Sequence, residues 1–96
     1  MITRIVKMTF AAEKTADFIQ IFEESKHLIR GFEGCRSVKL LRQINPVNTF
    51  FTYSCWDSES ALENYRNSET FKTVWNKTKV LFNDKPMAWS TEDTEL

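Results

Sequence analysis

A chain of 96 residues has the length of one domain, and a domain this small buries only roughly 60–65% of the surface its unfolded chain exposes, so its core is thin. Thirteen Lys and Arg against 13 Asp and Glu exclude the basic excess on which nucleic-acid binding rests, and a strongly cationic membrane face with it. No apolar run approaches the ~20 residues needed to cross a bilayer, and Met1–Val6 lacks the basic and apolar regions of an export signal. Two cysteines without an export signal then point to the cytoplasm and to free, reduced thiols.

In chain order, Ile2 to Phe10 alternates, with Ile2, Arg4, Val6, Met8 and Phe10 on one side and Thr3, Ile5, Lys7 and Thr9 on the other. That period of two and its β-branched residues predict a strand. From Glu13 to Arg30 the period changes: Phe18, Ile19, Phe22 and Ile29 recur at helical spacing. Arg30 suits the negative end of that helix, and Gly31 is expected to close it in a left-handed conformation. Cys35 to Arg42 and Thr49 to Trp56 read as a hairpin around the Asn45-Pro46-Val47-Asn48 turn. Asp57-Ser58 begins a short helix carrying Ala61, Leu62 and Tyr65. Asn67-Ser68 interrupts it, and Ser68 caps a second piece in which Phe71, Val74, Trp75 and Thr78 share a face. Met87 to Thr91 reads as a last strand.

The order βαββαβ predicts an α+β fold of the ferredoxin-like type, an antiparallel sheet with its helices on one face. One domain is expected over residues 1–96, with a core of about 2–91 and a polar tail over 92–96. Within Thr49 to Trp56, Phe50 and Trp56 fall on one face while Phe51 and Tyr53 fall on the other. A sheet wet on one side alternates apolar with polar, so both faces here should be covered. The helices cover one, and a second copy packing sheet on sheet, a two-fold homodimer, is the economical cover for the other.

Three joints between elements carry a family likeness: Gly31-Phe32-Glu33-Gly34-Cys35, Trp56-Asp57-Ser58-Glu59-Ser60-Ala61-Leu62 and Ser68-Glu69-Thr70-Phe71. With them the chain, from Ile2 to about Thr91, resembles the antibiotic biosynthesis monooxygenase family within the dimeric α+β barrel superfamily. The resemblance implies a pocket between helices and sheet, open to flat hydrophobic ligands. It also implies chemistry ranging from cofactor-independent oxidation of aromatic substrates to haem cleavage. The Asn, Trp and His positions of the haem-degrading branch fall at Val6, Tyr65 and Trp75, and none matches. An indole nitrogen has no free lone pair for iron, which disfavours haem degradation.

Among the residues themselves, His27 falls nearly opposite the apolar face of its helix and reads as a solvated surface histidine, and its being the only histidine argues against a zinc or Ser-His-Asp site. Cys35 and Cys55 sit at the outer ends of the hairpin and would bridge only if directly opposed. No phosphate loop, dinucleotide fingerprint or metal motif is present, so neither cofactor nor metal is expected. What remains is a set of rings. Tyr65, Trp75, Phe51, Tyr53 and Trp89 are candidate substrate-binding residues, expected to border one cavity beneath the broken helix, and Tyr65 and Tyr53 are the candidate catalytic groups. The reading is a cofactor-independent monooxygenase oxidising a small aromatic or quinol-type substrate. The alternative is a non-catalytic module binding or sensing a small hydrophobic molecule.

Overall fold

Alternation and helical periodicity give the expected elements in the computed structural model, which describes residues 1–96. Strand β1 spans Ile2–Thr9, helix α1 Thr15–Arg30, strands β2 and β3 Cys35–Arg42 and Thr49–Trp56, helices α2 and α3 Glu59–Arg66 and Glu69–Lys79, and strand β4 Met87–Glu92. The strands form one antiparallel sheet in the order β2-β3-β1-β4. This is the α+β ferredoxin-like fold. A single 3-10 turn over Ala12–Lys14 precedes α1, so the regular helix begins two residues later than its periodicity suggests.

Register decides which face each strand residue serves, because directly paired residues point the same way. Val6 pairs with Thr52 and Ala88, and Arg4 with Ser54 and Ser90. This row faces the helices. Ile5 pairs with Tyr53 and Trp89, and Lys7 with Phe51 and Met87. That row faces away from them, onto a sheet surface that nothing in the chain covers.

On the helix side, α1 buries Phe18, Phe22, Ser25 and Ile29, a stripe at spacings of four and three residues. Beneath it Phe10, Phe50 and Trp56 are almost wholly buried. Phe10 stacks on Phe18 with ring centroids 4.2 Å apart and meets Phe50 edge-on at 5.9 Å. Such pairs add about 0.5–1.5 kcal/mol beyond the area they bury, which matters in so thin a core.

The left-handed conformation expected of Gly31 falls on Gly34 instead. Gly31 ends α1 in an ordinary right-handed conformation (φ −78°), its N–H bonded to the His27 carbonyl. The left-handed residue is Gly34 (φ +87°), three positions on. There the chain turns into β2 hard against α2, and a Cβ would lie 2.4 Å from that of Ala61. The left-handed turn is needed at the strand entry, where α2 leaves no room for a side chain.

Candidate ligand cavity

The cavity owes its existence to the break between α2 and α3. Ser58 caps α2, its Oγ accepting from the Ala61 N–H at 3.1 Å, and Ser68 caps α3 by accepting from the Phe71 N–H at 3.1 Å. The Ser68 hydroxyl also donates back to the Tyr65 carbonyl at 2.6 Å. One serine therefore satisfies the end of one helix and the start of the next, fixing the angle between them. Tyr65 projects from the last turn of α2 and Trp75 from the middle of α3. Between them, α1 and the helix-facing row of the sheet lies a cavity of about 320 Å³, within the ~300–1,000 Å³ of small-molecule sites.

Its walls are mostly apolar. Trp75 stacks on Phe71 (5.8 Å, 12°), Phe71 meets Tyr65 edge-on, and Tyr65 stacks on Trp56. The polar groups along the wall are largely engaged: Trp56 Nε1 donates to Ser54 Oγ at 3.0 Å, and Thr78 Oγ1 donates to the Val74 carbonyl at 2.8 Å. Burial, with a smaller contribution from the nearby Cys35, pushes the Tyr65 phenol up to about 12. Tyr65 is therefore a neutral hydrogen-bonding group at physiological pH and a poor base.

Of the residues expected to line one cavity, the structure brings together Tyr65 and Trp75 only. Phe51, Tyr53 and Trp89 lie on the opposite face of the sheet, in the row that includes Ile5 and Lys7. Their grouping with Tyr65 and Trp75 is corrected: the strand period places them one residue out of phase with the cavity wall. The Tyr53 ring instead sits beneath Lys39 Nζ, 5.2 Å from its centroid. Val6, the remaining position compared with the haem-degrading branch, does line the cavity beside Tyr65 and Trp75.

The other candidates are placed plainly. His27 is exposed on α1. Cys35 and Cys55 are free thiols out of register, Cys35 opposite Trp56 and Cys55 opposite Ser37 across a bulge. Burial raises the Cys35 thiol, against the partial offset of its bond to the Ser37 carbonyl, so it is not an activated nucleophile. No three His, Cys, Asp or Glu side chains converge on a point where a metal ion would be held. Two residues that sequence reasoning passed over are Arg4 and Arg66, both on the cavity wall. The signal for Arg4 was legible: it is the charged member of the apolar row Ile2, Val6, Met8.

The family model for antibiotic biosynthesis monooxygenase matches residues 1–77. The chain belongs to the antibiotic biosynthesis monooxygenase family. Solved structures agree in fold. A Nitrosomonas europaea protein assigned to this family superposes with a TM-score of 0.90 at 12% identity, covering 98% of this chain and 99% of the other. One from Deinococcus radiodurans gives 0.88 at 18%, covering 100% and 95%. One from Bordetella bronchiseptica gives 0.87 at 19%, covering 97% and 96%. Among curated proteins no sequence matches. At these identities the likeness carries the monooxygenase fold, and the chemistry must come from the site.

Proposed function

We propose that the chain is a cofactor-independent monooxygenase that oxidises a small aromatic, quinol-type substrate in the cavity beneath the α2–α3 break. The observation that supports this most is the cavity itself: stacked rings for walls, a neutral Tyr65 hydroxyl, and room for a flat molecule. A hydroquinone needs little from such a site. With O₂ it gives a hydroxyquinone and water: one oxygen atom forms a new bond to the ring, the O–O bond breaks, and the other atom leaves as water. The substrate supplies all four electrons. The protein contributes orientation between Trp75 and Tyr65 and exclusion of bulk water.

Tyr65 binds rather than deprotonates in this reading, because its raised pKa makes it a donor. That same fact supports the second reading, a binding or sensing module, which needs the cavity and no base. Oxygen uptake with a panel of quinols, run beside quenching of Trp fluorescence by the same compounds, separates the two. Uptake with quenching is expected. Quenching without uptake establishes the binding module, and neither effect removes both readings.

The homodimer is part of the proposal. Leu41, Met87 and Trp89 are 44%, 50% and 42% exposed, and with Ile5, Phe51 and Tyr53 they make an uncovered apolar face of the kind that marks an interface. A second copy placed sheet to sheet covers this face and leaves both cavities intact on the outer sides. Haem degradation is disfavoured, since the only histidine points to solvent. The chain contains no helix long and apolar enough to cross a membrane.

A further inference from the structure

The cavity wall combines two chemically different kinds of residue. Most of it is apolar, with the rings of Trp56, Tyr65, Phe71 and Trp75 packed on one another. The cations on it are Arg4 from β1 and Arg66 from the last turn of α2. No Asp or Glu lines the cavity, although the chain as a whole carries as many acids as bases.

Arg4 is unusual among the strand residues. It stands in the helix-facing row between Ile2 and Val6, half-buried, and its guanidinium donates to Ser90 Oγ at 2.9 Å. No carboxylate pairs with it. Arg66 is bonded to Glu63 one turn back on its own helix, at 3.4 Å and largely exposed. Burial and the neighbouring Arg66 both work against the charge on Arg4, and Glu63 offsets them only in part. A guanidinium keeps its charge under such conditions. Two guanidinium groups that share the single carboxylate of Glu63 at the edge of an apolar cavity are therefore only partly compensated, and an anion placed between them relieves the remainder.

We propose that Arg4 and Arg66 form an oxyanion subsite, so that the ligand class is a flat aromatic molecule carrying one ionised oxygen group, a phenolate or a carboxylate. This rests on the cavity being a ligand site. The rings of Phe71 and Trp75 take the flat body, and the guanidinium groups take the anionic oxygen. For a quinol, the subsite supplies what the wall otherwise lacks. It favours the ionised form electrostatically, so that a proton passes to solvent without a strong base in the cavity. The Tyr65 phenol is the opposite case, held neutral by burial with a smaller push from Cys35.

The test compares 2-naphthoate with its neutral isostere 2-naphthamide by Trp fluorescence quenching. A parallel arm measures the ionisation of 2-naphthol, free and bound, by absorbance. The wild-type protein should bind naphthoate at least tenfold more tightly than naphthamide, or ionise bound naphthol at lower pH than free naphthol. Whichever preference appears names the oxyanion. Arg4→Gln, which can still donate to Ser90, and Arg66→Gln, on an exposed side chain, should each reduce the preference several-fold with naphthamide binding and melting temperature unchanged. Equal affinity for naphthoate and naphthamide, together with a bound naphthol that ionises no earlier than the free one, overturns the subsite but leaves the cavity as a ligand site. A preference untouched in both variants overturns it equally. Failure of all three compounds to bind overturns the subsite and the ligand cavity together.

Discussion

The Tyr65 ring lies on Trp56 with centroids 4.9 Å apart and 26° between the planes, and it meets Phe32 and Phe71 edge-on at 5.4 Å each. The ring is thus a structural element, while the proposed function assigns its hydroxyl to the ligand, and two substitutions divide these roles. Tyr65→Phe keeps the ring contacts and should change stability by less than about 1 kcal/mol while weakening ligand binding or turnover. Tyr65→Ala should cost about 3–5 kcal/mol by opening the aromatic cluster. Urea denaturation with a binding titration on the same preparations checks both. A Phe variant that loses several kcal/mol and binds normally would make the hydroxyl structural.

The same burial predicts an alkaline signature. With the folded-state phenol raised to about 12 and the unfolded one near ~10, both states hold the proton below pH ~10. Between about 10 and 12 the unfolded state releases it first, so stability falls as pH rises, by roughly 2–3 kcal/mol at most. Tyr65→Phe should flatten that part of the stability–pH curve. An unchanged slope in the variant would assign the effect to other groups.

At the entry to β2, Gly34→Ala combines a left-handed residue with an overlap against Ala61. The expected loss is about 2–4 kcal/mol. Adding Ala61→Gly should recover the overlap and leave the cost of the backbone conformation. Thermal melts of the single and double variants measure the two parts. Full recovery would mean that the conformation itself costs nothing.

For the uncovered sheet face, Trp89→Glu places a charge within the proposed interface, on the edge strand β4. Light scattering at micromolar concentration should give a dimer mass for the wild type and a monomer mass for the variant. A wild-type monomer at that concentration contradicts the sheet-to-sheet assembly.

Much of this was legible in the residues. Period two in Ile2–Phe10 and Thr49–Trp56 gave strands and their two faces, and Asn67-Ser68 marked the helix break because serine caps better than it propagates. The periodicity separated Phe51 and Tyr53 from Phe50 and Trp56, yet periodicity alone does not say which row the helices cover. The crossovers settle that, and they put Phe50 and Trp56 inside. The cavity likewise depends on how two helix pieces splay, a tertiary property that no local pattern encodes. Gly31 was the natural choice for the left-handed position by its place after Arg30. What decided for Gly34 is a contact with Ala61, 27 positions further along the chain.

The central claim is that the cavity beneath α2 and α3, and not the open sheet face, receives the aromatic ligand. Val6 lies on the cavity floor between Arg4 and Met8, and Val6→Phe fills part of that space while keeping a good strand former in β1. The decisive measurement is quinol binding, by Trp fluorescence, to the wild type, to Val6→Phe and to Tyr53→Phe on the opposite face. The account predicts saturable binding to the wild type and to Tyr53→Phe, and a loss of at least tenfold in Val6→Phe with its melting temperature retained. Undiminished binding to Val6→Phe, or binding lost in Tyr53→Phe alone, would contradict it.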